Sequence, residues 1–204
     1  MLAMIAILMA GLSLAIDALL VYGKRIRADR QAAGILVAAK KSLIAYAVMQ
    51  GGADKRLPCP FAGSVNDYGQ SAPAPPTCGA DDQAEIGLLP WTTLQRPPLW
   101  DSENGPVWYA LSGHFKPGTT AALPVVCGAQ TNGLTLDGTV DYVAVLFAPG
   151  KPLPGQTRNP TATPAVQNAY LDEENGTATT DFVAKKRSNS FNDRVLGVTC
   201  DEIR

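Results

Sequence analysis

Two hydrophobic patterns meet in the first fifty residues. From Met1 to Tyr22 the chain is apolar on every side, interrupted only by Gly11, Ser13 and Asp17, and no Lys or Arg precedes Lys24. At ~1.5 Å rise per residue, about 20 such residues cross a hydrocarbon core of roughly 30 Å. A helix with no polar face belongs in lipid or among similar helices. From Lys24 to Gln50 the pattern turns one-sided. Leu36, Val37, Leu43, Ile44, Ala47 and Val48 recur at three- and four-residue steps, with Lys24, Arg25, Arg27, Arg30, Lys40 and Lys41 on most of the remainder. No proline precedes Pro58, and Gly51-Gly52 offers a stop. The pattern predicts one helix over residues 1–50: 1–22 for a membrane or fibre core, and 23–50 amphipathic against a globular head of residues 51–204.

Beyond the helix the alternation is that of a β-containing unit with long loops. Residues 56–100 are rich in proline (RLPCPFAG, SAPAPPTCG, GLLPWTTLQRPPLWD) and read as an ordered meander, since proline cannot donate to a sheet ladder and resists helix. Residues 106–112, PVWYALS, read as a first strand. Asp137-Gly138 is the strongest hairpin signal in the chain and joins Leu134–Leu136 to Val140–Ala148. Within the latter, VAVLF is continuously apolar and predicts a central strand buried on both faces, one of them against the long helix. A short helix is expected over residues 165–174 and a last strand over 194–199. One long helix followed by three or four antiparallel strands gives an α+β layer fold.

Composition narrows the function classes. The net charge of −1 supplies no field that favours nucleic acid. With 19 glycines and 16 prolines, turns and loops are plentiful. Cys59, Cys78, Cys127 and Cys200 form no CxxC, and one histidine is present, so disulfides in an oxidising compartment are expected rather than zinc. Four cysteines allow three connectivities, of which Cys59–Cys78 with Cys127–Cys200 is the one expected. The first closes a proline-rich loop and the second ties the chain end to the middle of the head. The positive-inside rule applied to the basic cluster after Tyr22 would put the head in the cytoplasm. The cysteines argue for the opposite side, and the expectation follows them.

The ordered series LIAYAV, RLPCP, GLLPWTTL, WYALS, VAVLFAPG, YLDEENG and FNDRVLGVT, behind a long apolar helix, resembles minor pilins of type IV pili and pseudopilins of type II secretion systems, across nearly the whole chain. The resemblance implies a pilin-like fold, a long N-terminal helix packed on a small antiparallel sheet with disulfide-stapled loops. It also implies a structural role: held in the inner membrane as a single-pass subunit with a periplasmic head, then assembled into a periplasmic or extracellular filament. Its partners would be other pilins or pseudopilins and an inner-membrane assembly platform. Major subunits of such filaments carry Glu at the fifth mature position. Counting from Met1, Ile5 stands there, which resembles a subunit at or near a filament tip that acts in initiation. The basic leader ending in Gly that the family carries is not seen in this sequence. The alternative is a standalone membrane-anchored periplasmic binding protein or adhesin.

The candidate assembly positions are therefore Ile5, Gly11 and Asp17. Gly11 is one of the small residues (Ala3, Ala6, Ala10, Ala15, Ala18) that permit close helix approach. Asp17 is a carboxylate in an apolar run, where such a group is costly and marks function, although it lies near enough to the end to reach an interface. It stands twelve residues beyond Ile5 and cannot replace a fifth-position Glu. Catalysis is not expected: His114 is alone, and no GxSxG, Walker or HExxH pattern occurs. Asp81, Asp82 and Glu85, and Asp172, Glu173, Glu174 and Asp181, are acidic clusters without calcium-loop spacing and read as solvated charge. Phe61, Trp91, Trp100, Trp108 and Tyr109 could present a binding surface to a sugar or a partner, but packing accounts for them more simply. No cofactor or metal is expected.

Overall fold

The computed structural model describes residues 2–50, 55–69, 78, 83–117, 127 and 133–204, with side chains from Ile16 onward except Ala18. Helix α1 runs unbroken over Leu2–Met49, about 70 Å at ~1.5 Å per residue. The Gly51-Gly52 stop lies outside the described residues. Among the described residues six strands follow: β1 (Glu85–Leu88), β2 (Trp108–Leu111), β3 (Leu134–Leu136), β4 (Thr139–Ala148), β5 (Asp181–Phe182) and β6 (Arg194–Thr199).

β4 is the organising strand. It pairs antiparallel with β2, β3 and β6, and Ala144–Phe147 are paired on both edges. The run Val143–Phe147 is buried throughout, which a strand covered on both faces requires. The turn before it is Asp137-Gly138, with φ of 52° and 73°; positive φ at both positions gives a hairpin turn whose twist matches the strands.

Two features correct the expectation of three or four antiparallel strands. β1 lies inside the stretch read as meander and pairs with β2, while Phe61 bridges to Leu88. A Cβ on Gly87 would sit 2.6 Å from the Phe61 carbonyl oxygen, so this close approach depends on glycine. β5 pairs in parallel with β3, which makes the sheet mixed. A third correction concerns residues 165–174. In place of one short helix there are two 3₁₀ turns, Gln167–Ala169 and Glu173–Gly176.

The sheet has a layer on each face. Cross-strand partners Tyr109, Leu146 and Leu196 share a face, and Tyr109 lies beside Tyr46 of α1. The helix contacts β4 and β6 along its second half. The buried stripe is Ala32, Leu36, Ala39, Leu43 and Ala47, alternating small and large so that the helix lies close to the sheet. Val37 and Val48, expected on this face, are exposed. Each lies one residue, about 100°, round the helix from a buried neighbour. On the other face Trp108 and Phe147 are covered by Tyr170 and Phe182 from the long loop, at ring separations of 5.6 and 4.9 Å.

Disulfides Cys59–Cys78 and Cys127–Cys200 pair as expected, with Cα separations of 5.5 and 5.4 Å. The architecture is α+β: one long N-terminal helix on a curled mixed sheet.

Leu43→Ala should lower the stability of the folded full-length chain in micelles by about 2–5 kcal/mol. Val37→Ala, on the same helix, should change it by less than about 0.5 kcal/mol. Urea midpoints followed by tryptophan fluorescence separate the two, and equal effects would contradict the packing described.

Candidate functional site

Among the described residues, an exposed apolar run lies on α1 at Ile16 and Leu19–Tyr22. Ile16, Leu19, Leu20, Val21 and Tyr22 are about half to two-thirds exposed, Leu19 reaching 70%. An exposed apolar run of this kind marks a surface that meets lipid or another protein. The helix is long and apolar enough to cross a bilayer. Its second half is committed to the head, since Leu43 and Ala47 are fully buried there, whereas Ile16 and Leu19–Tyr22 have no such cover. Asp17 is exposed within it. Ile5 and Gly11 lie in α1, at positions whose surroundings fall outside the described residues.

The junction between the two halves is electrostatic. Asp29 receives Arg187 at 2.9 Å and Arg194 at 2.7 Å, one on each carboxylate oxygen. These pairs fasten the base of the head to the helix one turn before its buried stripe begins at Ala32. Higher up, Lys40 donates to the Gly197 carbonyl at 2.8 Å and pairs with Glu202 at 2.6 Å.

A second site lies under the long loop, and sequence reasoning missed it. Asp101, Arg158, Asp172 and Asp193 come together from four separate stretches of chain. Asp101 accepts from the amides of Glu103, Gly105 and Gly150 at 2.8, 2.6 and 2.8 Å. Arg158 donates to the carbonyls of Gly150 and Tyr170 and stacks 5.1 Å above the Tyr170 ring. Asp172 and Asp193 are reciprocal: each backbone amide donates to the other's carboxylate, at 2.9 and 3.1 Å. Asn175 holds Val183 through both of its side-chain atoms, at 2.9 and 3.0 Å. Asp172, read from sequence as solvated, is therefore 2% exposed and structural. No spacing rule connects these residues, although a DEEN run beside an FND run was the available hint.

Burial, with the Asp172 carboxylate beside it, pushes the Asp193 carboxyl up to about 8. Burial likewise raises Asp172 and Asp101 above the ordinary carboxylate range, against the amide hydrogen bonds that lower them. Oδ1 of Asp193 is buried without a hydrogen-bond partner among the described residues, which is tolerable for a neutral carboxyl and costly for a charged one.

The remaining candidates are accounted for locally. Glu173 and Glu174 lie within 2.7 and 2.5 Å of the Lys185 ammonium, and Asp181 accepts from Thr135 and Thr180. Glu85 lies 3.9 Å from the buried Lys116, while Asp81 and Asp82 fall outside the described residues. His114 is buried in a 3₁₀ turn whose carbonyl accepts from Arg56. Trp91 donates to the Tyr68 carbonyl at 2.8 Å, and Tyr68 packs edge-on against Trp91 and Trp100. Trp108 and Tyr109 are core residues of β2. Phe61 is half-buried beside Tyr68 and Trp91 in an open groove of about 510 Å³. Cys127, Asp141 and Cys200 sit within metal-ligand distance of one another, yet both sulfurs are bonded in the disulfide and no thiolate remains to bind an ion. No protein-family model, curated protein or solved structure matches the chain.

The raised Asp193 carboxyl sets a pH dependence. An unfolded Asp titrates near about 3.9, so between about pH 4 and 8 the folded state keeps a proton that the unfolded state has lost, and stability falls as pH rises. The thermal midpoint of the full-length chain in micelles should decline from about pH 5 to about pH 8.5. In Asp193→Asn, which mimics the neutral carboxyl, the slope should flatten. An unchanged slope in that variant would assign the effect to other groups.

Proposed function

We propose that this chain is a structural subunit of a pilin- or pseudopilin-type filament, one of the minor subunits, with α1 as its membrane anchor before assembly and its filament core afterwards. The observation that carries the reading is the exposed apolar run through Ile16–Tyr22, continuous with a helix whose second half is bound to the head. The long helix on a curled sheet accords with a pilin-like fold, and the two disulfides accord with a head on the oxidising side of the inner membrane.

No chemistry by this chain is required. Lipid tails are as apolar as Leu, so exchanging lipid contacts for neighbouring helices is driven by packing, and small residues allow the approach. Ala3, Ala6, Ala10, Gly11, Ala15 and Ala18 supply them along the first half of α1. An inner-membrane platform would supply the work of extraction, and contacts between heads would choose the neighbours.

A photo-crosslinking residue placed at Leu19 or Tyr22 in the native membrane should yield covalent adducts with other helical subunits. Gly11→Leu should remove most of those adducts while leaving the urea midpoint of the head unchanged. Adducts with lipid alone would overturn the filament reading and leave a standalone anchored protein.

A further inference from the structure

We propose that Lys24, Arg25, Arg27 and Arg30 form a collar that binds anionic phospholipid headgroups on the head's side of the bilayer. The inference rests on the membrane-anchor part of the reading above, and it adds the lipid class that the anchor selects.

The four cations begin two residues beyond Tyr22, where the all-round apolar stretch ends. All four are exposed. None makes an ion pair or hydrogen bond with a described residue, because the one acid on this part of the helix, Asp29, is taken by Arg187 and Arg194 of the head. That pairing brings two further cations to the same level, each with its side chain a third or more exposed. The collar thus carries a concentrated positive charge on a chain whose overall net charge is −1.

Azimuth decides the partner. At about 100° per residue, Arg25, Arg27 and Arg30 lie roughly 100°, 300° and 240° round the axis from Lys24. The charges leave open only a sector of about 140°, which holds Asp29 with Arg187 and Arg194 of the head. A patch for a docking protein would occupy one side, as the buried stripe Ala32–Ala47 does, whereas a bilayer surface meets the helix from every side. Axially the collar spans about 9 Å, against a headgroup layer of roughly 5–8 Å per leaflet. Lys and Arg stems can lie along the apolar surface below and carry their charge into that layer. Each cation at such a surface favours an anionic over a neutral headgroup, and the attraction weakens with salt.

The full-length chain is reconstituted in phosphatidylcholine bilayers with trace spin-labelled phosphatidylglycerol or phosphatidylcholine. Electron paramagnetic resonance then measures the motionally restricted fraction of each probe. The expected result is about a fivefold preference for the phosphatidylglycerol probe at about 0.05 M salt. It should shrink towards unity at about 0.5 M salt, and be lost in the K24Q/R25Q/R27Q/R30Q variant at either. Exposed side chains carry these substitutions, so the urea midpoint of the head should stay as in the parent chain. Equal restriction of both probes by the parent chain, or a preference that survives in the variant, would overturn the collar while leaving the anchor in place. No restricted probe of either kind would overturn the anchor reading itself.

Discussion

The close approach of α1 to the sheet is the contact on which the molecule depends. Ala32, Ala39 and Ala47 alternate with Leu36 and Leu43 along one stripe. The small residues bring the helix axis near the strands, and the leucines fill what remains at interior packing density. Because this stripe begins only after Asp29, the helix is fixed to the head over its second half alone. Ile16 and Leu19–Tyr22, on the turns before it, are exposed apolar side chains without cover from the head. The same helix therefore changes from exposed apolar side chains to a buried stripe, and the Asp29 pairs with Arg187 and Arg194 stand between the two.

The opposite face of the sheet is covered by a different device. From Gly150 to Asp193 the only strand has two residues, so few backbone groups there are satisfied by a ladder. Asp101, Asp172, Asp193 and Asn175 take over, accepting from amides that a helix or sheet would otherwise have paired. Such a layer trades regular hydrogen bonding for buried carboxyls, and buried carboxyls resist ionisation. A loop that covers Trp108 and Phe147 is thereby coupled to pH, a property that a helix of the same length would not have.

What the sequence disclosed followed from local signals. Asp137-Gly138 needs only its own backbone to turn, and Val143–Phe147 is apolar enough to demand cover on both faces, so hairpin and central strand were both legible. The cysteine pairing expected from the proline-rich loop that Cys59–Cys78 closes, with Cys127–Cys200 tying the chain end to the middle of the head, is the one observed. β1 was hidden among prolines: Glu85–Leu88 is a strand because Phe61 and β2 flank it, which no local pattern reveals. Residues 165–174 look helical by composition, yet the Gln167 side chain bonds the Asn175 and Ala178 carbonyls while Asp172 and Asn175 bind distant backbone. Side chains so engaged favour tight turns over a continuous helix. The polar cluster drew members from residues 101, 158, 172 and 193, and only the folded chain brings them together.

The step in α1 from an all-round to a one-sided apolar pattern also limits what the head can do. A head joined by a flexible linker would sample many orientations relative to a bilayer. Here the helix is continuous from Leu2 to Met49, and the head is clamped to it from Asp29 upward. The orientation of the head is therefore set by the orientation of the rod. Whatever surrounds the rod, lipid or sibling helices, fixes where every surface of the head points. A packing choice made among apolar side chains near Leu19 is transmitted through some 30 residues of unbroken helix to surfaces such as the Phe61–Trp91 groove. For the filament subunit proposed above, that stiffness would let contacts between heads and packing of the helix act on one rigid body.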